Sequence, residues 1–227
     1  MFALSAAGAL AAALTCCGSE NKHETPVVTA APGVLPPSSG PLPNTLMIIR
    51  HAEKPTGSGA PYGITEAGQQ DKESLTTRGW TRAGALVALF DPRGADGNPM
   101  PTRPGISRPA TIFAARPATG SSKRSQETVT PIAAALNLVV DTRFTKGQEA
   151  DLAAALAGVP GPVLVAWQRE QISAIIAHLG TVAPAPPASW PEDRFDVVYV
   201  FTRSSSSWTF TQLPQMLLAG DSPILVT

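Results

Sequence analysis

The stretch LMIIRHAEK at residues 46–54 decides the fold. Its first four residues, Leu46 to Ile49, form a continuous apolar run that ends abruptly at the polar Arg50 and His51. A strand of a parallel sheet is buried on both faces, so it appears as an unbroken apolar run rather than as an alternating pattern. The stretch therefore predicts a buried strand with Arg50 and His51 at its carboxyl end.

Apolar runs alternate with helical patterns along the rest of the chain, from residue 45 to residue 227. Further strands are predicted over residues 111–114, 138–140, 163–167, 197–201 and 208–213. Helices are predicted between them, at residues 80–90, from a cap at Ser121 or Ser122 to Leu136, at 149–156 and around 172–179. This alternation predicts an α/β domain, a three-layer sandwich with a mostly parallel central sheet flanked by helices.

The first predicted helix has its apolar residues on one face, where helical spacing brings them together: Trp80, Ala83, Gly84, Val87 and Phe90. Such a face is expected to pack against the sheet. The second predicted helix places Val129, Ile132, Ala133 and Leu136 at the same spacing. Both patterns predict one buried stripe per helix.

The charge balance excludes one class of partner. Lys and Arg number 17 and Asp and Glu also number 17, so the formal net charge is zero. A nucleic-acid-binding protein needs a basic surplus to displace the counterions around phosphates, so no nucleic acid partner is expected. The two cysteines, Cys16 and Cys17, are adjacent and precede the predicted domain. No disulfide and no cysteine-based zinc site is therefore expected inside it.

The first 17 residues predict a signal peptide. Residues 2–14 are an unbroken run of apolar and small residues, too short to span a bilayer but typical of a secretory signal. A buried N-terminal helix is the alternative, but the polar stretch that follows gives such a helix nothing to pack against. Residues 14–17 resemble a bacterial lipoprotein cleavage box, except that Cys16 stands where Gly, Ala or Ser is expected. The chain is therefore predicted to be exported, periplasmic or extracellular, and membrane attachment through a lipidated Cys17 remains an alternative.

Residues 18–44 predict an extended, disordered tether. The segment is polar and contains six prolines, at positions 26, 32, 36, 37, 41 and 43. It lacks the apolar surface whose burial would offset the entropy lost on ordering. Three parts are therefore expected: the signal peptide 1–17, the tether 18–44 and one domain over 45–227.

Polar residues follow three of the predicted strands. Arg50 and His51 end the first, Arg124 lies in the first turn of the helix after the second, and Arg169 follows the fourth. Ligands of open α/β sheets bind at the carboxyl ends of the strands. Arginines that converge beside a helix N-terminus match the geometry of a phosphate, and nearby cations keep an imidazole neutral and nucleophilic. The alternative is that Arg50 and His51 only mark a polar strand end and that Arg124 is a solvated helix start.

Three segments, in this order, resemble the histidine phosphatase superfamily, the phosphoglycerate-mutase-like proteins and related acid phosphatases. They are MIIRHAEK at 47–54, LTTRGW at 75–80 and SSKRSQET at 121–128. The resemblance runs from about residue 45 to residue 221, and the sequence after residue 190 resembles a bacterial branch. It implies the phosphoglycerate-mutase-like fold and a small phosphorylated substrate. It also implies that His51 is the nucleophile, that Arg50 and Arg124 bind the phosphate, and that neither metal nor other cofactor is needed.

One position departs from this pattern. The family has a second histidine after its fourth core strand, whereas this chain reads WQREQI at residues 167–172, with Arg169 in that place. An arginine can bind phosphate oxygens, but it cannot transfer a proton because its pKa stays above about 12. Two hypotheses follow: a phosphomonoester hydrolase of reduced activity, and a catalytically inactive protein that binds phosphorylated ligands. His178 lies about two and a half turns further along the helix and is interpreted as a structural or surface residue.

The general acid is open between two carboxylates. In the resembled family a carboxyl group after the third strand protonates the leaving oxygen, and Glu149 and Asp141 lie in that region. The helix dipole explains Glu149 equally well as a carboxylate at a helix start. Glu53 is expected either to brace the loop that carries His51 or to lie in solvent.

Overall fold

The computed structural model describes residues 45–118, 120–159 and 161–227. The predicted signal peptide, the tether and the Cys17 anchor therefore lie outside the described residues. In the part that is described, none of the helices has the length and apolar character needed to cross a membrane.

Seven strands and four helices are seen in these residues. The strands are β1 Thr45–Arg50, β2 Thr111–Ala114, β3 Val140–Asp141, β4 Val163–Trp167, β5 Thr181–Ala183, β6 Val197–Ser204 and β7 Ser207–Pro214. The helices are α1 Thr77–Phe90, α2 Arg124–Leu136, α3 Glu149–Leu156 and α4 Arg169–Ala177. The predicted α/β class is confirmed.

One mixed sheet contains all seven strands, in the order β3-β2-β4-β1-β6-β7-β5. Strands β3, β2, β4 and β1 are paired in parallel, and β5 is parallel to β7. Strand β6 runs antiparallel to both of its neighbours, β1 and β7. The expectation of a mostly parallel sheet is therefore not confirmed. The short turn between β6 and β7 is the physical reason for that pair, because a hairpin joins antiparallel strands only.

The core lies on both faces of the sheet. Along β1, Leu46 and Ile48 pack with side chains of α3 and α4, whereas Met47 and Ile49 pack with side chains of α1 and α2. All four residues are at most 2% exposed. This two-sided burial is why the run at residues 46–49 has no polar alternation.

The buried face of α1 differs from the predicted one. Gly84 is exposed and Trp80 and Val87 are only partly buried, whereas Arg82 and Leu86 lie on the buried face. Arg82 is buried because carboxylates from other parts of the chain neutralise its guanidinium. The sequence pattern places apolar residues alone on the packed stripe, which is why the predicted stripe is rotated away from Arg82.

Three local expectations also differ from the structure. Helix α2 begins at Arg124, and its N-cap is Lys123 rather than Ser121 or Ser122 as predicted. The Lys123 side chain makes no capping hydrogen bond, but the Ser122 hydroxyl accepts from the Arg124 backbone N–H at 3.4 Å. Strand β3 begins at Val140, two residues later than predicted. Strand β5 was not predicted, because a three-residue edge strand with exposed ends has no apolar run.

Candidate functional site

A cavity of about 580 Å³ lies at the carboxyl ends of β1, β2 and β4. Loops and helix starts that follow β1, β2, β3 and β4 line it: His51, Lys54, Arg116, Ala118, Ser121, Ser122, Arg124, Thr145, Lys146, Gln168 and Glu170. The parallel pairing of β1, β4 and β2 brings these chain-distant segments to one edge. The cavity therefore lies where the sequence predicted a ligand site.

His51 lines this cavity and is a neutral imidazole with a defined tautomer. Its Nδ1 lies 2.8 Å from the Ala52 carbonyl oxygen, which can only accept, so Nδ1 carries the proton and Nε2 has a free lone pair. The pKa of His51 is lowered to about 3, and burial is the main cause. The cations Arg50, Arg124 and Lys54 contribute to this lowering, whereas the hydrogen bond to Ala52 opposes it.

Arg124 lines the same cavity from the start of α2. Its Nε donates to the Ser74 carbonyl at 3.3 Å, its Nη1 to the Ser122 hydroxyl at 3.3 Å and its Nη2 to the Lys72 carbonyl. Glu73 lies 3.6 Å from Nη2. Burial lowers the pKa of Arg124, and Glu73 opposes that shift. Three of the five N–H donors are used in these hydrogen bonds, and the other two make none with the described residues.

Arg50 is 1% exposed and does not line the cavity itself. Its Nη1 donates to the carbonyls of Pro191, Glu192 and Arg194, at 3.3, 2.5 and 3.1 Å. The Phe195 ring covers its guanidinium at 3.8 Å from ring centroid to carbon. Nε and Nη2 are buried and have no hydrogen-bond partner within the described part of the chain. Buried polar atoms are normally paired, so these two donors are open to a partner that the described residues do not supply.

Arg169 points to carboxylates and is not among the residues that line the cavity. Its Nε lies 3.0 Å from Glu170 and its Nη2 lies 3.5 Å from Glu192. It is nevertheless close enough to act on Arg50: burial is the main cause that lowers the pKa of Arg50 to about 10, and Arg169 is the second. The predicted phosphate-binding role of Arg169 stays a prediction.

The structure gives Glu149 and Asp141 hydrogen-bond partners away from the cavity. The Glu149 carboxylate accepts from the Trp167 indole at 3.0 Å and from the Gly147 backbone N–H at 3.1 Å, and it is 5% exposed. Asp141 accepts from the Arg143 guanidinium at 2.9 Å. Neither carboxylate lines the cavity, so the predicted general acid is not among the residues brought together there.

Sequence reasoning missed four charged residues of the cavity: Lys54, Arg116, Lys146 and Glu170. Lys54 and Glu170 lie within motifs that the sequence singled out, so their neighbourhood was a usable signal. Arg116 and Lys146 follow β2 and β3, and the rule that ligands bind at strand ends applies to both. The sequence alone did not reveal that β3 lies beside β2, which brings these two residues together.

A buried ion network braces the loop that carries His51. Glu53 accepts from Arg82 at 2.8 Å and from Arg78 at 3.1 Å, and Arg82 also binds Asp221 at 2.7 Å. Burial alone would raise the pKa of Asp221, but the hydrogen bonds from Arg82 and from two backbone N–H groups lower it to about 2. Of the two expectations for Glu53, bracing is the one the contacts support.

Thr128 of α2 connects the same loop to the helix that carries Arg124. Its hydroxyl accepts from the Ala52 backbone N–H at 2.8 Å and donates to the Arg124 carbonyl at 2.6 Å. Thr128 is fully buried. This bridge fixes His51 relative to α2.

Within the ranges 45–118, 120–159 and 161–227, no three His, Cys, Asp or Glu side chains are grouped so that they could hold a metal ion.

Comparisons with known proteins do not assign this chain to a family. No protein-family model matches it, and no curated protein matches it. A solved structure titled "Mycobacterial hydrolase 2" is 16% identical, with a TM-score of 0.40, over 74% of this chain and 88% of that chain. The chemistry of the cavity is therefore the basis for assigning a function.

Proposed function

We propose that this chain hydrolyses phosphomonoesters through a phosphohistidine intermediate on His51. One observation carries the proposal: a buried imidazole, held by a backbone carbonyl at Nδ1, lies in one cavity with Arg124 and further basic side chains. The resemblance of residues 47–54, 75–80 and 121–128 to histidine phosphatases supports it. The proposed reaction needs neither metal nor other cofactor.

The proposed reaction has two steps at His51. The Nε2 lone pair attacks phosphorus, and the bond to the ester oxygen breaks with its electron pair going to that oxygen. Water then attacks the phosphohistidine and gives a proton to the carboxylate that protonated the leaving oxygen. The phosphorus–nitrogen bond breaks with its electron pair returning to Nε2, and inorganic phosphate leaves. A neutral imidazole is required for the first step. The pKa of about 3 supports this role, because His51 then stays neutral throughout neutral and mildly acidic solution.

Two guanidinium groups are proposed to hold the phosphate. Arg124 has N–H donors left after its contacts to Ser74, Ser122 and Lys72, and Arg50 has unpartnered donors at Nε and Nη2. Donors fixed in advance stabilise the charge of the transition state without reorganisation, and one such donor is worth about 10²–10³ in rate.

Export of the chain, and lipid attachment at Cys17, remain proposals from the sequence.

Glu170, rather than the Glu149 or Asp141 that the sequence indicates, is proposed to protonate the leaving oxygen. Among the described residues that line the cavity, Glu170 is the one carboxylate. Burial acts to raise its pKa, but a backbone hydrogen bond, Arg169 and Lys146 lower it below the usual value. The acid form is therefore populated at low pH, and turnover of esters with poor leaving groups is expected to rise as the pH falls.

Binding without turnover is the second candidate function, and one observation favours it. Arg169 stands where the resembled family has its second histidine, and its contacts are to Glu170 and Glu192. No histidine besides His51 lines the cavity in the described part of the chain. A protein with Arg50 and Arg124 in place would still bind a phosphorylated ligand.

Turnover of an aryl phosphate by four proteins separates the two functions: wild type, His51→Ala, Arg169→His and His178→Ala. We expect wild-type turnover that His51→Ala abolishes, because the nucleophile is gone. His178→Ala is the matched control, since His178 is exposed at the end of α4, and its turnover should equal wild type. An inert wild type that gains turnover in Arg169→His would favour binding, and wild-type activity that survives His51→Ala would overturn the mechanism.

The acid is tested by Glu170→Gln and Glu149→Gln on two substrates, an alkyl phosphate and 4-nitrophenyl phosphate. Loss of the acid matters only when the leaving oxygen needs a proton. Glu170→Gln should lower kcat on the alkyl phosphate by about 10²–10³ and change turnover of the nitrophenyl ester less than about tenfold. Glu149→Gln should affect both substrates alike. If the selective loss occurs in Glu149→Gln instead, Glu149 is the acid.

A further inference from the structure

The cavity is strongly basic, although the chain has no net charge. Its lining in the described residues includes the cations Lys54, Arg116, Arg124 and Lys146 and the anion Glu170, whereas the whole chain has 17 basic and 17 acidic residues. A cleft lined by charge of one sign concentrates ions of the opposite sign. One phosphate monoester carries at most two negative charges, so the surplus favours a ligand with more than one anionic group.

The basic residues form two groups. Lys54 and Arg124 act on His51, because both lower the pKa of its imidazole. Lys146 acts on Glu170 instead. Lys146 and Arg116 belong to neighbouring loops, since the Arg116 backbone N–H donates to the Phe144 carbonyl at 2.8 Å.

Arg116 also lines a second depression of the surface. It lines a second, shallower groove of about 560 Å³ together with residues of β3 and Arg143. Arg116 and Lys146 are exposed, and no ion pair or side-chain hydrogen bond to either is seen in the part of the chain that the structure describes. By contrast, Arg143 is held by Asp141 at 2.7 Å. These two exposed cations are thus available to a ligand.

We propose that Arg116 and Lys146 form a second anion subsite, so that the preferred ligand is a small phosphomonoester with a further carboxylate or phosphate. This inference rests on the proposed function, because it takes the site at His51 and Arg124 to hold the first phosphate. One ligand molecule carries both anionic groups: its phosphate binds at His51 and Arg124, and its second anionic group binds at Arg116 and Lys146. Arg116 and Lys146 thereby select the substrate without taking part in the reaction.

Calorimetric binding of non-hydrolysable phosphonates tests the subsite. The probes are ω-phosphonocarboxylates with two to five methylene groups, the alkylphosphonates of the same lengths, and α,ω-bisphosphonates. The proteins are wild type, the double variant Arg116→Gln/Lys146→Gln, and Arg143→Gln as the matched control outside the cavity. In wild type, the best phosphonocarboxylate or bisphosphonate should bind about tenfold more tightly than its alkylphosphonate, which is the scale of two exposed ion pairs.

The double variant should lose that advantage and keep its affinity for alkylphosphonates, while Arg143→Gln should bind all probes like wild type. The better of the two doubly anionic series identifies the second group as carboxylate or phosphate. Equal affinity of wild type for alkylphosphonates and doubly anionic probes overturns the subsite and leaves the proposed function intact. If wild type binds no phosphonate at all, the proposed function fails, and the subsite fails with it.

Discussion

At the scale of the residue, the environment of His51 determines its chemistry. A histidine in water is half protonated near pH 6.5, whereas burial and three cations keep this imidazole neutral. The Ala52 carbonyl fixes the tautomer with the lone pair at Nε2. The same environment has a measurable consequence for stability, because the unfolded chain restores the ordinary pKa.

The free energy of unfolding should depend on pH through His51. Its folded pKa of about 3 lies below the unfolded value of 6.5, so between these values the unfolded chain binds a proton that the folded chain does not. Stability is therefore lost as the pH falls from 6.5 towards 3, by at most about 1.4 kcal/mol per pH unit from this group. Urea unfolding of wild type and His51→Gln at pH 7.5, 5.5 and 4.5 measures it, and the variant should show the shallower loss.

His178→Gln is the control for this pH dependence. His178 is exposed at the end of α4, so its replacement should leave the slope of stability against pH unchanged. Equal slopes in wild type and His51→Gln would show that the buried imidazole does not resist protonation.

At the scale of the element, α1 positions the loop after β1. The Thr76 side chain caps the helix by accepting from the Gly79 backbone N–H at 3.2 Å, and its own backbone N–H donates to the Glu53 carbonyl at 3.0 Å. A Cβ on Gly79 would lie 2.5 Å from that carbonyl oxygen. Only glycine allows the helix and the loop to approach this closely.

Gly79→Ala should therefore destabilise the protein and displace the loop. Overpacking against backbone atoms lowers the free energy of unfolding by about 1–3 kcal/mol. Because Glu53 is two residues from His51, turnover in the proposed reaction should fall as well. Gly84→Ala is the control on the same helix, because a Cβ there meets nothing within 4 Å. It should stabilise the protein by about 0.5–1 kcal/mol through helix propensity. Equal unfolding free energies for the two variants, measured in urea, would contradict the close approach.

At the scale of the whole molecule, Arg82 joins three distant parts of the chain. Its guanidinium binds Glu53 from the loop after β1, and Asp221 and Gln215 from the segment after β7. Burial alone would lower the pKa of Arg82, but Asp221 and Glu53 raise it above its usual value. The network thus holds the C-terminal segment against the loop that carries His51.

Arg82→Met should lower the free energy of unfolding by about 3–5 kcal/mol, because it leaves two carboxylates without their buried partner. Arg78→Met is the control: Arg78 contacts the same two carboxylates, but its side chain is 49% exposed. Its removal should cost at most about 1 kcal/mol. Chemical unfolding of both variants measures the difference, and similar losses would mean that the buried network contributes little.

The sequence by itself determined the α/β class, the position of the strands that form the core, and the place of His51 at the end of β1. Burial on two faces requires an unbroken apolar run, so the local sequence pattern is enough to indicate these features. The sequence also identified Arg124 as a residue of the site. It did not reveal the buried face of α1, because a charged residue enters a core only when distant partners neutralise it.

Tertiary structure alone decided which side chains meet. Strand order places β3 beside β2 and β2 beside β4, so Arg116 and Lys146 reach the cavity of His51. Packing likewise commits Glu149 to Trp167 rather than to the cavity. The physical reason is that a local pattern reports how deeply a residue is buried, whereas a contact between distant segments depends on how the strands are ordered and on which charges can be paired.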